Sequence, residues 1–298
     1  GGDVSVDVMS VTIEGLPVTY ALTQNTRVAV GTYKVSITGT GNFHEVIEHE
    51  WKVLPKTVTV TPVSGLQKIY GDADPVLKYT HDGVAGSIIS GSLSRVAGDA
   101  AGTYAITLGT LTPDHNHILV IADAQFEIVK RTFTITGDTH SHTYNGGTQT
   151  ITGTSVTNLL DGHTLSGISY SASGADVGTY PGTFSGSFKG TDALGNDVSS
   201  NYSLETIPGK LTIEYKSVRV TANDLTVAYG DAVSLSAKVE GTFNSDTVSF
   251  DLIRESGDNV GTYVITPSGA TTQGNYLVSY VKGTLTIDYR DVIITTLN

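Results

Sequence analysis

The chain has 298 residues, 39% of them apolar, with 34 glycines, 8 prolines and no cysteine; hydrophobic cores can form, but no disulfide can hold a small one together. Its formal net charge of −12 repels phosphate backbones and anionic lipid, which argues against nucleic acid as a partner. No apolar run reaches the ~18 residues of a membrane helix, so membrane insertion is not expected either.

Residues 1–55 read as a short repeat. They carry Gly31-Thr32-Tyr33, then Asn42-Phe43, then a closing strand in which Trp51 and Val53 alternate with polar residues, the period of two of a half-buried strand. Residues 56–130 form a full repeat: Tyr70-Gly71-Asp72, Gly102-Thr103-Tyr104, Asn116-His117, and a closing strand with Phe126 and Ile128. Residues 131–215 give Tyr144-Asn145-Gly146, Gly178-Thr179-Tyr180, Asn201-Tyr202, Leu211 and Ile213, with a Gly/Ser/Asp-rich insertion near 185–199 expected as a surface hairpin or loop. Residues 216–289 repeat the series with Tyr229-Gly230-Asp231, Gly261-Thr262-Tyr263, Asn275-Tyr276, Leu285 and Ile287. The remainder, 290–298, reads as a tail or as the opening strand of a further repeat, because Asp291 to Thr296 mirror Ser217 to Thr221. The Gly-Thr-Tyr tyrosines lie 71, 76 and 83 residues apart, and each Tyr-Gly-Asp or Tyr-Asn-Gly tyrosine precedes its partner by 34 to 36. One period is one small domain.

Threonine, valine, isoleucine and tyrosine dominate the periodic stretches, and helix-period segments are nearly absent. Six or seven short strands per full repeat, separated by turn signals, predict an all-β chain of tandem immunoglobulin-like β-sandwiches. The alternative is a β-grasp repeat, which requires a helix. Asp176-Val177-Gly178-Thr179-Tyr180 has the pattern of a tyrosine corner, in which the ring packs under a bend and the hydroxyl bonds backbone. No Gly/Ser or Pro-rich linker separates one repeat from the next, so the reading expects an elongated, monomeric array. With units about 30 Å across, four in line would span roughly 120 Å. No signal peptide or sorting signal is recognisable, which fits a soluble chain or an excerpt of a longer one.

At Tyr70-Gly71-Asp72-Ala73-Asp74-Pro75, Gly91-Ser92-Leu93-Ser94-Arg95 and Gly102-Thr103-Tyr104-Ala105-Ile106-Thr107 the sequence resembles the MBG repeats of bacterial surface adhesins. The likeness extends through the anchors of 216–289 and, with the insertion and the Tyr-Asn-Gly variant, through 131–215; residues 1–55 resemble only the second half of a repeat. It implies an extracellular module of a cell-wall-anchored or secreted bacterial protein, named for mucin binding and often repeated as a stalk. Host mucin or glycans are the partners it implies. Its motifs are structural anchors, so no binding residue is carried over.

His44 and His49 flank Glu45 and Glu48 but stand at i and i+5, not at the i and i+4 that zinc proteases place on a helix. His115-x-His117 and His140-x-His142 each share a strand face, and Asp72, Asp74, Asp99, Asp231 and Asp258 could offer oxygen ligands to calcium at repeat joints. Polar loop and surface-turn roles are the simpler readings. Trp51 occupies the position of Phe126, Leu211 and Leu285 and is expected to fill core rather than stack on a sugar. No nucleophile elbow or P-loop occurs. The expectation is a non-enzyme with no cofactor and no catalytic or metal site: a stiff adhesin stalk, with a direct carbohydrate-binding module and a repeat region appended to a secreted enzyme as alternatives.

Overall fold

A computed structural model describes residues 4–5, 12–13, 16–17, 19–83 and 89–294. Residues 295–296, the end of the predicted further opening strand, lie outside the described residues. The chain divides into two compact units, residues 1–131 with 200–203, and residues 132–199 with 204–298.

In the first unit, Tyr20–Thr23, Gly31–Gly39 and Val46–Val53 form an antiparallel sheet with Gly31–Gly39 in the middle. Val35, Trp51 and Val53 point to its buried face, with Tyr33 opposite Trp51 in the ladder. Next come two facing sheets. In one, Lys56–Pro62 pairs antiparallel with Tyr79–His81 and parallel with His117–Ile121. In the other, Gly102–Thr107 and Gln125–Val129 lie between Ser94–Arg95 and Gln67–Ile69, the last pair again parallel. The opening segment is thus shared: its first half pairs in one sheet and, after the turn at Gly65, its second half pairs in the other. Val60 from the first sheet and Ile106, Phe126 and Ile128 from the second fill the space between them. These residues alternate with exposed ones such as Thr61, Ala105, Gln125 and Glu127, the pattern of a strand with one wet face.

The second unit repeats this plan. Lys216–Ala222 pairs with Ala237–Glu240 and in parallel with Tyr276–Val281, while Leu225–Ala228 runs parallel to Gly283–Asp288, which also pairs with Gly261–Ser268. Earlier in the unit, Lys210–Glu214 lies between His140–Thr143 and Gly178–Pro181. The Gly/Ser/Asp-rich stretch belongs to a long hairpin in which Thr164–Gly174 pairs with Thr183–Thr191. Beyond it, the Asp192 carboxylate accepts hydrogen bonds from Leu194 N, Asn196 N and Asn196 Nδ2 and closes the turn.

The fold is all-β, a series of immunoglobulin-like two-sheet sandwiches. No α-helix occurs among the described residues, only a 3₁₀ turn at Ser199–Asn201, so a β-grasp, which needs a helix against its sheet, is set aside. Accordingly no helix among the described residues is long and apolar enough to cross a membrane. Residues 291–294 form no strand. Lys56–Pro62 and Lys216–Ala222 are ordered by strands that follow them in sequence, and the described residues contain no such partner for 291–294.

Leu285, fully buried opposite Tyr263, tests the packing. Leu285→Ala is expected to lower stability by about 2–5 kcal/mol in a urea titration, whereas Leu194→Ala at the exposed hairpin turn should stay within about 0.5 kcal/mol.

Candidate functional site

The Gly-Thr-Tyr triplets come first because their tyrosines fix the corners. Each hydroxyl donates to the carbonyl four residues earlier: Tyr33 to Ala29 at 2.7 Å, Tyr104 to Ala100 at 2.7 Å, Tyr180 to Asp176 at 2.8 Å and Tyr263 to Asn259 at 2.9 Å. All four are tyrosine corners, the arrangement predicted at Asp176 to Tyr180. A glycine makes room for the ring, since a Cβ at Gly98 would lie 2.2 Å from Tyr104 and one at Gly257 would lie 2.2 Å from Tyr263. An arginine closes the other side. Arg95 stands 5.0 Å from the Tyr104 ring centre and donates to Gly98 O, and Arg254 does the same at 5.9 Å from Tyr263 with Gly257 O as acceptor.

The Tyr-Gly-Asp turns are held by arginines 61 residues from the tyrosine. Arg131 donates from Nε to Tyr70 O at 2.8 Å and pairs with Asp72; Arg290 donates from Nε to Tyr229 O at 2.7 Å and pairs with Asp231. The five acids considered as calcium ligands all face cations. Besides those two pairs, Asp74 binds Arg95 at 2.6 Å and Lys68 at 2.7 Å, Asp258 meets Arg254, and Asp99 lies 3.9 Å from Arg95. Arg95, then Lys68, hold the Asp74 carboxyl down at about 2.

The third element is an asparagine. Asn116 Oδ1 accepts from Val30 N at 2.9 Å, Asn201 Oδ1 from Ala101 N at 2.8 Å, and Asn275 Oδ1 from Val177 N at 2.8 Å. Each N–H belongs to the residue directly before a Gly-Thr-Tyr glycine, in the preceding repeat. The asparagine also serves its own repeat, as Asn116 O accepts from Lys56 N and Asn275 O from Lys216 N, both at 3.0 Å. The ring that follows covers a Tyr-Gly-Asp or Tyr-Asn-Gly tyrosine edge-on: Tyr202 on Tyr70 within the first unit and Tyr276 on Tyr144 within the second, both at 5.5 Å. The Tyr276 hydroxyl further donates to Asp246 at 2.6 Å and accepts from Phe243 N at 2.9 Å. Burial, and then the Asp246 bond, push its pKa up to about 12. In the second unit one buried cluster runs without a break from Ile151 and Leu211 through Tyr144 and Tyr276 to Val218 and Val278.

His115 Nε2 is 3.2 Å from Val30 O and His117 Nδ1 is 2.5 Å from Asp114, while His140 and His142 stand side by side with His140 3.6 Å from Asp138. His44 precedes and His49 lies within the strand Val46–Val53. Trp51 is buried beside Val35 and Val53, as core filling requires. Tyr170 is buried too, its hydroxyl donating to Asp138 O at 2.9 Å. Sequence reasoning noted the recurring asparagine and ring but missed the amide that the asparagine caps. It also missed the arginine clamps, whose signal was the shared 61-residue spacing.

Two segments match the family of the MBG domain (YGX type), residues 58–127 and 218–286. These two segments are MBG domains. Tyr70-Gly71-Asp72 and Tyr229-Gly230-Asp231 fall inside them, whereas residues 132–199, with the long hairpin and Tyr144-Asn145-Gly146, lie outside. No curated protein matches the chain in sequence. Among solved structures, the I9–I11 tandem of titin is 9% identical over 88% of this chain and 95% of that one, with a TM-score of 0.21. The four N-terminal immunoglobulin domains of Dscam1 isoform 4.4 are 12% identical over 86% and 80%, with a TM-score of 0.19. At such scores the assignment of MBG sandwiches rests on the sheet pairings and the motif.

The Asp74 pKa is depressed in the folded state, so its contribution to stability is complete above the unfolded carboxylate value of ~4 and is lost as pH falls toward about 2. Asp74→Asn should therefore lower the urea midpoint at pH 6 and show less further loss than the parent between pH 4 and 2.5. Asn275→Ala leaves Val177 N without its acceptor and should cost about 1–2 kcal/mol, with faster amide exchange at Val177 and unchanged exchange in the Gly283–Asp288 strand.

Proposed function

We propose that this chain is a non-catalytic repeat region of a bacterial surface protein: a stiff stalk that projects an adhesive region, and so contributes to attachment to host mucin or glycans. The carrying observation is the asparagine cap, made in the same way three times, which fastens one repeat to the next through a hydrogen bond and, in two cases, an edge-on pair of rings. A joint of that kind resists bending because hinging it would strand a backbone N–H without a partner. The missing flexible linker supports the same reading, as does the continuous buried cluster of the second unit. Acids that could have served catalysis or metal binding are engaged with arginine and lysine instead. An extracellular setting fits the MBG domains.

The test is binding of the chain to immobilised mucin, intact and stripped of its glycans, with calcium and with chelator. A spacer is expected to bind both surfaces equally and weakly under either condition. Saturable binding to intact mucin that disappears on deglycosylation would replace the stalk by a direct carbohydrate-binding module, and its loss with chelator would bring calcium into the site.

A further inference from the structure

Four Gly-Thr-Tyr corners each present a backbone N–H just before the glycine, and three are capped by an asparagine from the following repeat. The fourth, at Val260, has no acceptor among the described residues. The surface around it is set like the occupied ones. Arg290 clamps Tyr229 O and Asp231 as Arg131 clamps Tyr70 O and Asp72, and the Tyr263 hydroxyl closes its corner on Asn259 O. Only the cover differs. Tyr144 is 8% exposed beneath Tyr276, whereas Tyr229 is 50% exposed and lines a shallow cavity with Val260, Tyr289 and Val292. Tyr289, Val292, Ile293 and Ile294 are more than four-fifths exposed. They stand where, one repeat earlier, Tyr215 leads into the strand that pairs in parallel with the residues after Asn275.

We propose that this end of the last sandwich is a preformed socket for one further repeat of the same kind, which inserts an asparagine followed by an aromatic ring. The asparagine Oδ1 accepts from Val260 N, the ring covers Tyr229 edge-on, and the segment after the asparagine supplies the parallel partner for 291–294. The argument is continuity with three occupied joints: a free N–H and an uncovered tyrosine in the relative positions that Asn-Tyr satisfies elsewhere. The contact is head-to-tail, so it neither closes on itself nor saturates. This inference extends the stalk reading and can be tested apart from it, because no mucin is involved.

The test is amide hydrogen exchange on the chain through Arg290 joined directly to a second copy of residues 217–289, so that the spacing from Tyr289 onward matches that from Tyr215. Exchange at Val260 is expected to slow at least tenfold relative to the unextended chain. Alanine at the copied Asn275 should return it to within twofold of the starting rate while the copied strands stay protected. Protected copied strands with Val260 still exchanging at the unextended rate would overturn the proposal. A second extension, with residues 132–215 and their Asn201-Tyr202, guards against a copy that does not fold, and if neither copy acquires protected strands on this end the socket is refuted. Concentration-dependent protection of Val260 in the unextended chain would assign the surface to a second copy of this chain, whose Asn42 is exposed, and would also overturn it.

Discussion

A backbone N–H that leaves a corner and faces no strand must still find an acceptor, since burying it unpaired costs as much as a lost hydrogen bond. In this chain the residues before three of the four Gly-Thr-Tyr glycines, Val30, Ala101 and Val177, are in that position. The tyrosine corner turns the backbone so that the amide points out of its own sandwich, and the acceptor arrives 86 to 100 residues later as an asparagine side chain. Asn116 and Asn275 are not free to choose their place, because their own carbonyls hold the first residues, Lys56 and Lys216, of opening strands. One residue therefore fixes the start of its own sandwich and the end of the previous one. A shift in either changes the other.

The same economy governs the charges. Four of the six arginines, Arg95, Arg131, Arg254 and Arg290, bind a backbone carbonyl and a carboxylate together. A planar fork with several fixed donors suits that double task, and lysine would reach only one acceptor with defined geometry. With 29 acids against 17 basic residues, cations placed at turns and corners stabilise local geometry while the net negative charge stays on the surface. Most of these pairs are partly exposed, so their value lies more in fixing turns than in raw stability.

The parts legible in the sequence were those written in local pattern. Alternation placed Phe126, Leu211 and Leu285 in the core, the spacing of Gly-Thr-Tyr exposed the period, and the Asp-x-Gly-x-Tyr pattern gave the corner. The hairpin Thr164–Gly174 with Thr183–Thr191 extended a stretch recognised only as an insertion. What local pattern cannot carry is pairing at a distance. The split of the opening segment between two sheets depends on parallel partners some 60 residues away, and nothing in Lys56–Pro62 alone encodes them. The acids show the same limit: Asp72-x-Asp74 has a spacing that calcium could use, and only the fold brings Arg131, Arg95 and Lys68 to it.

Coupling between neighbours then follows from where the buried surface lies. In the second unit the core does not stop at the boundary between sandwiches but passes through Tyr144 and Tyr276, so part of the apolar burial that stabilises either sandwich belongs to the joint. In a linear array such terms add to the intrinsic stability of each repeat, and repeats inside the array gain two of them while an end gains one. Among the described residues Val260 is uncapped and Tyr229 uncovered, so this corner has one such term fewer. Loosening of this unit should therefore begin at that corner, where an unpaired N–H and an exposed ring have least to lose, and proceed last through the doubly held joint at Asn275.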